Sequence, residues 1–129
     1  MHMFRDELMQ LAFLENETAK VYKKIIVGVH DEEIKTLLCK IYWDTNTHRD
    51  LMMRLAGIES LPKKIGCPNP KICEAITYNR KIMRSIKGES TIPGALESLQ
   101  NYESGVGEEY FSMVYAKAWA MASRDESVR

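Results

Sequence analysis

The sequence predicts an all-α domain organised as a helical bundle. Three observations carry that expectation. Apolar residues recur at alternating steps of three and four along long stretches. Strand signals are scarce. The break between the first two stretches, around Gly28 and His30-Asp31, is so short that the two helices must fold back as an antiparallel pair.

The first helix is expected over residues 5–29, with Leu8, Leu11, Thr18, Tyr22, Ile25 and Val29 on one seam. Asp31 then caps a second helix over residues 32–56. Glu32 and Glu33 lie in its first turn, where the helix dipole favours negative charge, and Gly57 is its stop. Its apolar positions are Ile34, Leu37, Leu38, Ile41, Leu51, Met52 and Leu55, and its seam is expected to run Ile34, Leu37, Ile41, His48, Leu51 and Leu55, passing Asp44 and Thr45. Residues 57–70, holding Pro62, Pro68 and Pro70, read as loop. A shorter helix over 71–87 carries Ile72, Ile76, Met83 and Ile86. A second loop leads to a long helix over 93–123, capped by Ser90 or Thr91, with Pro93 in its first turn. Gly105 and Gly107 inside it each cost about 1 kcal/mol and suit close packing, a bend or a bulge. The architecture is thus an antiparallel pair, a long crossover holding a short helix, and one further long helix.

At 129 residues, 45% of them apolar, the chain can bury one real core as a single domain, 1–129. Eighteen acidic and eighteen basic residues cancel, so no global field favours nucleic acid or an acidic membrane. The basic pairs Lys23-Lys24, Lys63-Lys64 and Arg80-Lys81 are short and scattered, so no nucleic-acid partner is expected. No apolar run approaches the roughly 20 residues of a membrane span. Arg5, Asp6 and Glu7 interrupt the N-terminus, unlike a signal peptide, so a cytoplasmic location is expected. Cys39, Cys67 and Cys73 are odd in number and match no common zinc pattern. They read as reduced structural thiols, with a Cys67–Cys73 disulfide as the alternative in a hyperthermophile.

The informative anomaly is Glu15. It falls on the first helix's apolar seam between Leu11 and Thr18. A carboxylate there needs pairing, protonation or a cation. When Leu8 is laid on Leu96, the series Leu8, Leu11, Glu15, Thr18, Tyr22, Ile25 meets Leu96, Leu99, Glu103, Val106, Tyr110, Met113. Each copy puts one glutamate on its seam and a tyrosine two turns further along. On the second helix His48 interrupts an apolar seam, near Asp44 and Thr45. Counting from the turn, Glu15 and His48 lie at depths differing by less than about one helical turn. Carboxylates and an imidazole converging in a helical core are the donor set a transition metal takes. The plainer readings are seam-edge glutamates that reach water or a lysine, and a satisfied core histidine. Tyr22, Tyr42 and Tyr110 read as core packing, Trp43 and Trp119 as packing or interface residues, and Glu108 and Glu109 as a solvated face.

Three segments, L14-E15-N-E-T-A-K-V-Y22, I41-Y-W-D44-T-N-T-H48-R-D-L51 and Y102-E103-S-G-V-G-E-E-Y110, resemble the ferritin-like superfamily, nearest its rubrerythrin-like branch. In that family the first and third bundle helices each give a glutamate, and the second and fourth each give Glu-x-x-His, to hold two irons or related metals. The resemblance implies that Glu15, His48 and Glu103 are metal ligands, with iron, manganese or zinc as the metal. It also implies oxidation of ferrous iron by oxygen or peroxide if the site is redox-active. Two departures stand out. Thr45 occupies the place of the family's glutamate, leaving Asp44 as the nearest carboxylate, and the final bundle helix is missing. The closing D125-E-S-V-R129 resembles the start of such a helix, so the expectation is either truncation or a homo-oligomer whose partner supplies the missing wall. Paired Cys-x-x-Cys motifs of a rubredoxin-type module are not present. The alternative is a degenerate, metal-free bundle that works as a structural or protein-interaction module.

Overall fold

A computed structural model describes residues 2–102, with side chains described for residues 5–99. It is mainly α-helical, as expected, with no strand among the described residues. Helix α1 spans His2–Gly28, α2 Glu32–Ala56, α3 Pro70–Ser85 and α4 Ile92–Tyr102, with a 3₁₀ turn over Glu89–Thr91 leading into α4. The part of the expected last helix beyond residue 102 lies outside the described residues.

The helix ends follow from local chemistry. The Asp31 side chain accepts from the Ile34 N–H at 3.0 Å, satisfying one of the orphan donors at the start of α2. At the other end Gly57 adopts φ 73°. Its N–H donates to the Arg54 carbonyl and that of Ile58 to the Met53 carbonyl, both at 3.0 Å. Asn69 caps α3 by accepting from the Lys71 N–H, with Pro70 following it at a position that needs no donor. Before α4, Thr91 Oγ1 accepts from the Lys87 N–H and donates to the Gly88 carbonyl. Gly28 ends α1 with Ile92 packed close over it: a Cβ there would lie 2.8 Å from Ile92 Cδ1, the end of a side chain that would have to turn aside.

The helices run alternately up and down. Gln10 meets Asn69 and Cys73, Thr18 meets Asn79, and Lys24 meets the Met83 carbonyl, so α3 runs parallel to α1 along its length. The segment α3 is therefore a wall of the bundle beside α1. Helix α4 starts over Gly28 and descends until Ser98 accepts from the Tyr78 hydroxyl at 3.4 Å, antiparallel to both.

The core is divided in two. An upper cluster near the α1–α2 turn joins Val21, Tyr22, Ile25, Val29 and Leu38 to Ile82, Ile86, Ile92, Ala95 and Leu99. A lower cluster joins Leu8, Leu11, Ala12, Met52, Ala56, Ile72 and Ile76. The expected seams of α1 and α3 are buried as read, apart from half-buried Thr18 and Met83.

The seam of α2 requires correction. Its buried residues are Leu38, Thr45, Met52 and Ala56, of which Leu38, Met52 and Ala56 each lie one position on from the expected Leu37, Leu51 and Leu55. Ile34, Leu37 and Ile41 are instead exposed, Leu37 by 64%. The apolar stripe of α2 is wider than one helix–helix contact, and α1 takes the edge that repeats every seven residues. The thiol expectation also changes. Cys67 and Cys73 form a disulfide, their Cα atoms 6.0 Å apart in the C-P-N-P-K-I-C turn, while Cys39 is free and exposed. No helix among the described residues is long and apolar enough to cross a membrane.

Candidate metal centre

Between the two apolar clusters lies a polar layer. On α1, Thr18 donates to the Leu14 carbonyl at 3.0 Å and accepts from Asn79 of α3 at 2.8 Å. Asn79 is 2% exposed, so this bond keeps a buried amide satisfied. On α2, buried Thr45 donates to the Ile41 carbonyl at 2.8 Å. Arg49 of α2 donates to the Asn16 side-chain oxygen of α1 at 2.9 Å. Glu17 pairs with Arg80 of α3 at 3.5 Å, and the Arg80 guanidinium also lies 5.8 Å from the Phe13 ring centre.

The Asn16–Arg49 bond joins the first two helices at this depth. Glu15 and His48 each lie one residue from it, on opposite sides along the antiparallel axes, so both lie near this polar layer. Both are half-buried, as is Asp44, about one turn nearer the α1–α2 turn. Thr45, not Asp44, occupies the α1-facing row. Glu103 lies outside the described residues. Among the described residues no group of three or more His, Cys, Asp or Glu converges tightly enough to hold a metal ion. The buried side-chain polar atoms described all have hydrogen-bond partners, so this layer holds no orphaned group that requires a cation.

No family model, curated protein or solved structure matches the chain.

Sequence reasoning passed over two buried polar residues. Asn79 stands on the same ladder as Ile72, Ile76, Ile82 and Ile86, and its polarity on that ladder was a readable signal of the kind Glu15 gives. Gln10 is fully buried and binds the loop before α3. Nothing in the periodicity around Gln10 marks it, because its partner is backbone remote in sequence.

Proposed function

We propose that this chain is a ferritin-like metal-binding bundle, with Glu15, His48 and Glu103 as ligands and Asp44 as a supplementary carboxylate. The observation that supports it best is the nearness of both Glu15 and His48 to the Asn16–Arg49 bond, in a polar layer between two apolar clusters. Two carboxylates and an imidazole suit iron or manganese, and zinc less specifically. Such a metal would supply one-electron chemistry toward ferrous iron, oxygen or peroxide. The chain's own contribution would be to hold the carboxylates in a partly dry setting and to shield the layer with apolar residues on both sides. In this reading a second copy of the chain completes the bundle along the open flank of α2, and the setting is the cytoplasm. The Cys67–Cys73 disulfide weighs against that location.

The deciding experiment is metal analysis of protein purified without a metal-affinity step, followed by anaerobic calorimetric titration with Fe(II) and with Mn(II). Binding near one or two ions per chain, lost in Glu15→Ala and in His48→Ala with the helical spectrum intact, supports the reading. Equal titrations for all three proteins reject it.

A second reading has its own observation. Thr45 fills the α1-facing row with a neutral, self-satisfied hydroxyl, and Ile34, Leu37 and Ile41 line an open shoulder of α2. These favour a metal-free module that binds another helix. Metal analysis separates the two: the wild-type chain should carry no metal under this second reading, whereas both readings expect Leu37→Glu to abolish association through this shoulder.

A further inference from the structure

We propose that the Cys67–Cys73 disulfide is a thiol-exchange site, attacked at Cys67 by an alkyl thiolate and releasing Cys73 as the leaving thiolate. The inference does not depend on the metal reading. It rests on the unequal surroundings of the two sulfurs.

Cys67 is exposed, in the loop before α3, whereas Cys73 is half-buried inside the helix. An incoming thiolate therefore reaches the Cys67 sulfur more readily. The Cys67 sulfur has the Asn69 carbonyl oxygen as a neighbour, at 3.8 Å. An acceptor gives nothing to a thiolate, so charge leaving on Cys67 would be disfavoured. The Cys73 sulfur has the opposite neighbour. The side-chain amide of Gln10 donates to it from Nε2 at 3.1 Å, and Gln10 is fully buried. Cys73 also lies near the N-terminal end of α3, where the unpaired backbone N–H groups favour negative charge. The helix N-terminus lies beside both bonded sulfurs, so the buried Gln10 donor on the Cys73 sulfur is what distinguishes them.

The same Gln10 keeps the loop in place when the bond opens. Its Nε2 donates to the Asn69 carbonyl at 2.9 Å, and its Oε1 accepts from the Asn69 N–H at 3.1 Å. Neither bond involves sulfur, so reduction leaves the cap of α3 anchored to α1.

The chemistry balances in two steps. A thiolate RS⁻ forms a bond to Cys67 Sγ as the Cys67–Cys73 bond breaks, giving a Cys67 mixed disulfide and the Cys73 thiolate. A second thiol, or the other arm of a dithiol, displaces Cys67 as thiolate and leaves as the oxidised disulfide. Two thiols are oxidised and one protein disulfide is reduced.

The test uses the full chain carrying Cys39→Ser, which removes the exposed free thiol. Oxidised protein is exposed to glutathione, quenched with acid and mapped by mass spectrometry, and dithiothreitol serves in parallel as the dithiol probe. The expected adduct is on Cys67, exceeding that on Cys73 by about tenfold or more, with dithiothreitol giving full reduction and no stable adduct. In Gln10→Met the exchange rate should fall several-fold with the helical spectrum retained. Alkylation by iodoacetamide supplies an independent readout. Cys73 in a Cys67→Ser variant should reach its half-maximal rate at lower pH than Cys67 in a Cys73→Ser variant. An adduct on Cys73, an even split, no adduct at all, or the reverse order of alkylation would overturn the proposal.

Discussion

Replacing Gln10 with Met removes a side chain of similar length and no exposed surface, together with three hydrogen bonds: two to the backbone of Asn69 and one to the Cys73 sulfur. Each is worth a net of about 0.5–1.5 kcal/mol, more where a buried backbone group is left without a partner. Asn69 is only half-buried, so water recovers part of the loss, and the methionine keeps the apolar contact area. The expected destabilisation is about 2–3 kcal/mol, a large share of a stability of about 5–15 kcal/mol for a domain of this kind. With a urea slope of about 2 kcal/mol/M, the unfolding midpoint should fall by about 1–1.5 M. The assay is urea denaturation of the oxidised protein followed by far-ultraviolet circular dichroism. A shift below about 0.2 M would refute the claim that this buried amide anchors the loop to α1. A change in slope would instead mean that the compactness of the unfolded or folded state had changed, or that unfolding had ceased to be two-state.

Three further outcomes follow from the packing and the caps. Met52→Ala empties a fully buried position in the lower cluster and should cost about 2–5 kcal/mol, whereas Trp43→Ala on the solvent side of α2 should stay within about 0.5 kcal/mol, both read from thermal or urea unfolding. Asp31→Ala removes the acceptor for the Ile34 N–H and should cost about 1 kcal/mol, with Asp31→Asn retaining most of the stability. Gly57→Ala forces an alanine into φ 73° with nothing crowding its Cβ, so a loss of about 1 kcal/mol should come from backbone conformation alone.

What could be read in advance was local. Asp31 with Glu32 and Glu33, and Gly57 after Ala56, bound α2 through chemistry contained within a turn of each end. The α1 seam of Leu8, Leu11, Tyr22 and Ile25 was legible because that helix packs against both α2 and α3, so a single wide apolar face faces inward. The face of α2 was not, because its apolar stripe extends from Ile34 round to Met52 and only the partner decides which edge is covered. The nearness in depth of Glu15 and His48, within about one helical turn, rests on counting residues through a short turn between two regular helices. The Cys67–Cys73 bond was legible only as the alternative to reduced thiols, because cysteine spacing alone does not decide pairing. It depends on how Pro68, Asn69 and Pro70 turn the chain, and on a glutamine far away in sequence that holds this turn against α1.

The division of the core has a kinetic consequence. The lower cluster is closed at its base by the Gln10 anchor and by a covalent link, so opening there must break both packing and a pinned loop. The upper cluster is covered by the described part of α4, entered through a 3₁₀ turn, and none of the chain's three cysteines lies in that cover. Lifting residues 92–99 would wet Val21, Ile25 and Ile82 while leaving Leu11, Met52 and Ile76 dry. Amide protons around Ala95 should therefore exchange through a subglobal opening, and those around Leu11 only when the whole fold gives way.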